Sequence, residues 1–92
     1  MNIKGLTFVE TCSACPEQYD VMDNNGNQVA YVRLRWGGLQ CEVPDCWGEI
    51  IYSHGFDDGW MGCFEDEEQR EKYLNIIADK INEHYGRSSN HE

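Results

Sequence analysis

A chain of 92 residues has room for one domain with a modest core, which excludes a large multidomain enzyme. Its 40% hydrophobic and 26% charged content is that of a globular protein and excludes a disordered or fibrous one. With 7 basic residues against 17 acidic, the net charge of −10 opposes direct nucleic-acid binding and suits a basic protein partner.

No apolar run reaches membrane-spanning length, so no membrane partner is expected. The opening "MNIKGLTFVE" lacks the apolar core of a secretory leader, and a cytoplasmic location is the expectation. "LTFVE" reads as a short strand, outside the main meander, leading into a loop that carries Cys12 and Cys15. "EQYDVMD" alternates, with Tyr19 and Val21 on one face. Asn25-Gly26 follows, a strong short hairpin signal. In "QVAYVRLRW" the residues Ala30, Val32, Leu34 and Trp36 share one face, and Tyr31, Arg33 and Arg35 the other. Gly37-Gly38 marks a second tight turn, and "LQCEV" puts Leu39, Cys41 and Val43 on one side. Pro44-Asp45 breaks that strand, and "EIIYS" supplies the next. Residues 54–64 hold three glycines and no period, so they read as a loop.

Over residues 65–85 the spacing becomes helical, with Tyr73, Leu74, Ile77, Ile81 and Tyr85 in one stripe. Asp66 is the expected N-cap with Gln69 as its capping-box partner, and Gly86 the expected C′ residue. "RSSNHE" is expected to be a frayed tail. The pattern predicts an α+β domain: a four-stranded antiparallel meander over residues 17–53 against one long C-terminal helix.

Five cysteines in a cytoplasmic chain are not expected to form structural disulfides, and an odd number leaves one over. Cys12-x-x-Cys15 and Cys41-x4-Cys46 are paired in the manner of zinc ribbons and knuckles. The expected cofactor is one structural Zn²⁺ clipping the loops, held by Cys12, Cys15 and Cys46 with a fourth ligand from Cys41 or Cys63. Cys41 shares a strand face with Leu39 and Val43, so burial competes with ligation there. His54 is a weaker alternative ligand. A thioredoxin-like role needs the cysteine pair at a helix N-terminus, and an extended segment follows it instead.

Cys63, His54 and Asp57 or Asp58 lie near one another in sequence, but nothing in the pattern positions them as nucleophile, base and orienting acid. No phosphate-cradling glycine motif is present either, so no enzyme is expected. "DDGWMGCFEDEEQRE" places Asp57, Asp58, Glu67, Glu68 and Glu71 around Trp60, Met61 and Phe64. Acids around an exposed aromatic suit a basic protein groove, where charge steers and the ring anchors. The competing reading has the acids capping the helix and the aromatics packed beneath it.

Short, acidic, single-domain and without a catalytic set, the chain resembles in profile the small proteins of phages and prophages. Among these it is similar to the anti-CRISPR inhibitors of type II systems. The resemblance spans the whole chain and rests on no shared motif, so no residue carries over by position. It implies a protein that occupies a basic surface of an RNA-guided nuclease and hinders target DNA loading. The alternatives are a zinc-stabilised adaptor for another host or phage protein and, third, a thiol or redox enzyme.

Overall fold

The structure, a computed structural model, describes residues 1–12 and 15–86. The expected frayed tail, residues 87–92, lies outside the described residues. Strands β1 (Asn2–Ile3), β2 (Leu6–Glu10), β3 (Glu17–Met22), β4 (Gln28–Arg35), β5 (Gly38–Val43) and β6 (Glu49–Gly55) precede helix α1 (Glu67–His84). The strands form one antiparallel sheet in sequence order, so the α+β meander with a C-terminal helix holds.

The sheet has six strands, not four. Lys4 and Gly5, at φ 53° and 82°, turn a short β1–β2 hairpin, and β2 pairs with β3 from Thr7↔Met22 to Glu10↔Tyr19. A two-residue strand is too short to show a period, which is why this edge escaped the sequence pattern.

Alternation builds the core. Leu6 and Phe8 of β2, Tyr19 and Val21 of β3, Ala30, Val32 and Leu34 of β4, and Leu39, Cys41 and Val43 of β5 are buried. Leu74, Ile77, Ala78 and Ile81 of the helix close over them. The helix approaches β6 and β1, the two edges of the sheet, so the sheet curls around it. Lys4 ties one edge to the helix: its Nζ lies 2.7 Å from Asp79 Oδ1, and its carbonyl accepts from Asn82 Nδ2 at 3.1 Å.

The helix starts at the expected cap, although the Gln69 side chain reaches the amide of Glu65, one residue before the Asp66 amide that a capping box would use. Asp66 Oδ1 accepts from the Gln69 amide at 2.8 Å, and Gln69 Oε1 accepts from the Glu65 amide at 2.7 Å. Glu67 and Glu68 occupy the first turn, and Gly86 follows the C-cap Tyr85 at φ 71°. Tyr85 departs from the expected buried stripe: it is 40% exposed and donates its hydroxyl to the Val29 carbonyl at 2.6 Å.

The Asn25-Gly26 signal is realised as a longer loop than a two-residue turn. Asp23 and Asn27 close it, and Gly26 alone takes positive φ, 81°. A two-residue turn with both central residues at positive φ, like the one at Lys4-Gly5, falls instead at Trp36-Gly37, φ 53° and 72°, where Arg35 pairs with Gly38. The turn thus begins one residue earlier than Gly37-Gly38 suggested, and Trp36 leaves the core face expected of it.

Ile77 and Ile81 are fully buried. Ile77→Ala and Ile81→Ala should each lower the unfolding free energy by roughly 2–5 kcal/mol in urea titrations, and losses near zero for both would contradict the packing of the helix on the sheet.

Candidate functional site

All three tryptophans are exposed: Trp36 by 62%, Trp47 by 87% and Trp60 by 81%. Tryptophan is ordinarily one of the more buried residues, so three in solvent need a reason. Two of them meet. The Trp36 and Trp60 rings lie edge to face, 5.5 Å apart at 67°. With Cys15, Pro16, Gln18, Arg35 and Gly62 they line an open cleft of about 500 Å³.

The frame beneath the pair is built from backbone bonds. The Gly37 amide donates to the Met61 carbonyl at 2.8 Å, and the Gly37 carbonyl accepts from the Phe56 amide at 2.7 Å. The β4–β5 turn therefore holds the loop between β6 and α1 on both sides. A Cβ on Gly37 would come 2.9 Å from Gly59 Cα, so only glycine permits this approach. Within the loop, Asp58 Oδ1 accepts from the Trp60 amide at 2.9 Å. Met61 and Phe64 are buried beneath it. Phe64 thus belongs to the core, whereas Trp60 projects into solvent.

Glu17 fixes the other side of the loop. It is 2% exposed, at the start of β3. Its amide donates to the Gly62 carbonyl at 2.7 Å. Its carboxylate accepts from the Phe64 amide at 2.9 Å, from Tyr19 Oη at 2.6 Å, and from Arg70 Nε and a terminal guanidinium nitrogen at 3.0 and 2.9 Å. Burial alone pushes the Glu17 carboxyl upward, but the hydrogen bonds from Arg70, Tyr19 and Phe64 outweigh it and hold the group below its ordinary value of 4.5. The same bond to Glu17 raises Arg70.

A disulfide joins Cys15 to Cys63, with Cα atoms 5.4 Å apart, and staples the start of β3 to the same loop. This corrects the expectation, drawn from a cytoplasmic location, that the cysteines form no structural disulfide: the fold brings together two residues that are 48 positions apart in sequence. Cys12 and Cys46 are partly exposed free thiols. Cys41 is fully buried on the core face of β5, where burial, with Glu42 adding to it, pushes its thiol up to about 12. Cys46 follows the far end of β5, whereas Cys12, Cys15 and Cys63 lie at the end that carries the tryptophan pair. Six residues of strand separate the two ends by about 20 Å. The expected zinc set of Cys12, Cys15 and Cys46 with Cys41 or Cys63 is therefore not brought together. Among the described residues no group of three or more His, Cys, Asp or Glu side chains gathers as a metal site.

The acidic run divides. Asp57 and Asp58 lie in the tryptophan loop, while Glu67, Glu68 and Glu71 are exposed on the helix. Glu67 pairs with Arg70, and Glu67 and Glu71 face Met1, Asn2 and Lys4. His54 packs against Phe56 and Tyr73, with ring centroids 4.7 and 5.0 Å away, instead of lying with Cys63 and Asp58 as a catalytic set. Trp47, at φ 69° in the β5–β6 connection, stands at the opposite end of the sheet from the pair.

No family model, curated protein or solved structure matches the chain. No helix among the described residues is long and apolar enough to cross a membrane.

Two outcomes check this frame. Because Glu17 ionises below its ordinary value in the folded state, its bonds stabilise the protein above about pH 4.5 and are lost as pH falls through the lowered value. Glu17→Gln should cost roughly 3 kcal/mol at pH 7 and much less at pH 3, read from denaturant midpoints; an equal cost at both would contradict a charged Glu17. Alkylation of denatured, unreduced protein should modify Cys12, Cys41 and Cys46 alone, and modification of all five cysteines would remove the Cys15–Cys63 bond.

Proposed function

We propose that the chain is a binding protein, not an enzyme, and that its contact surface is the end of the sheet where Trp36 and Trp60 meet. The exposure of these two rings on a fixed frame carries the reading. Large rings already held in place lose little entropy on binding and supply most of the affinity of a protein interface. Asp57 and Asp58 stand in the loop that bears Trp60, and the molecule carries −10 overall, so the partner is a basic protein surface. In the more specific form of the proposal, that surface belongs to a type II CRISPR nuclease, whose nucleic-acid channels are strongly positive, and the chain keeps target DNA from loading. Glu67, Glu68 and Glu71 add to the steering charge from the helix.

The test mixes the protein with a guide-loaded type II nuclease and follows target DNA binding and cutting. The expected result is a complex on gel filtration and loss of DNA loading, with association slowing as salt rises. Trp60→Ala should raise the off-rate about tenfold or more while changing stability by only about 0.5 kcal/mol, since its ring is exposed. Undiminished cutting at saturating protein across several such nucleases, with no complex formed, would rule out the inhibitor. Capture of a different basic protein through the same tryptophans would support the adaptor form instead.

A further inference from the structure

The cleft at the tryptophan pair has a shape and a polarity that narrow its occupant. It is a trough rather than a pouch, since Trp36 and Trp60 stay 62% and 81% exposed while lining it. A small molecule bound there would keep much of its surface in water, whereas small-molecule sites bury most of theirs. A chain segment lying across the trough loses nothing by this, because it continues beyond both ends.

The walls are rings: two indoles and Pro16, with the Cys15–Cys63 bond at one side. The polar side chains among the lining residues are those of Gln18 and Arg35, and each indole carries an N–H donor. Apart from the Gln18 amide oxygen these side-chain groups are donors, and they suit carbonyl oxygens that are not already engaged. Strands and helices engage their carbonyls internally. A polyproline II segment has no internal hydrogen bonds, presents its carbonyls to the side, and offers flat rings that pack on indole faces. Its conformation is set before binding, so docking on an aromatic-lined groove costs little order. Arg35 carries the charge of the lining itself; Asp57 and Asp58, in the loop that carries Trp60 but outside the lining, favour positive charge beyond the proline rings, at the flank of the segment.

We infer that the Trp36–Trp60 cleft binds an extended, proline-containing segment flanked by arginine or lysine. This rests on the reading of the cleft as a protein-binding surface and names the part of the partner that enters it. The rings supply the anchor, Gln18 and Arg35 read the backbone carbonyls, and the acids fix the end at which the positive side chains lie. Single-stranded nucleic acid also stacks on tryptophan, but the net charge of −10 opposes it.

The experiment measures anisotropy of three dye-labelled probes titrated with the whole protein. One is a peptide of proline repeats flanked by arginine, one is the same peptide with alanine for each proline, and one is a single-stranded DNA oligonucleotide. The inference predicts saturable binding of the first, at least about tenfold weaker binding of the second, and weaker binding again of the third. Trp60→Ala and Trp36→Ala should each weaken the first about tenfold or more, while Trp47→Ala, at the far end of the sheet, should not. Retained thermal melting in Trp60→Ala separates lost contact from lost fold. Equal binding of both peptides through Trp36 and Trp60 would overturn the proline requirement and leave the basic-partner reading standing. Binding of neither peptide would overturn the inference and leave the basic-surface reading to the nuclease test, whereas equal loss in Trp47→Ala would move binding away from the cleft and overturn both. Preferential binding of the oligonucleotide would also overturn the inference.

Discussion

A single carboxylate organises the end of the molecule that carries the tryptophan pair. Glu17 sits buried at the start of β3 and accepts bonds from the loop before the helix, from its own strand neighbour Tyr19 and from Arg70 in the first turns of the helix. A charge at that depth is costly unless every lone pair is met, and here loop, strand and helix each supply a donor. The consequence is geometric. Strand, loop and helix cannot shift relative to one another without leaving part of the charge unpaired. The loop so fixed is the one that carries Trp60, and its other edge is gripped by Gly37 in the turn that carries Trp36.

That grip explains why a tryptophan occupies a position that favours glycine or asparagine. Trp36 at positive φ costs about 1–2 kcal/mol relative to an unstrained residue. The cost is tolerated because the Gly37 bonds and the hairpin register determine the turn, and the result is an indole projected out of the sheet beside Trp60. Backbone strain of this kind gathers at sites where presentation matters more than stability. The disulfide between Cys15 and Cys63 acts in the same sense, tying the lining residue Cys15 to the loop that carries Trp60.

Much of the fold was legible because its signals are periodic. Tyr19 and Val21 on one strand face, Leu39, Cys41 and Val43 on another, and Leu74, Ile77 and Ile81 along the helix follow directly from spacings of two and of three to four. The same alternation points Glu17 inward, two residues before Tyr19, but a charged residue offers no apolar signal and its partner Arg70 lies 53 residues away. Trp36 misled for a related reason: it extends the alternation of Ala30, Val32 and Leu34, and only the turn geometry shows that the strand has already ended. Paired cysteines suggested a zinc clip because spacing was all the sequence offered, whereas the sheet sends Cys46 to one end and Cys12 and Cys15 to the other. Trp60 was the one residue of the cleft whose exposure and acidic surroundings the sequence signalled together.

The tryptophan loop is an integral part of the fold, locked by Glu17 and Gly37, and not a mobile appendage. Native-state hydrogen exchange of the Glu17, Gly37 and Phe64 amides tests it most directly, because each donates one of the locking bonds. All three should exchange with opening free energies close to those of the central strands β3 and β4. Exchange of the Gly37 and Phe64 amides at the rate of an open loop, with the strand amides still protected, would contradict it.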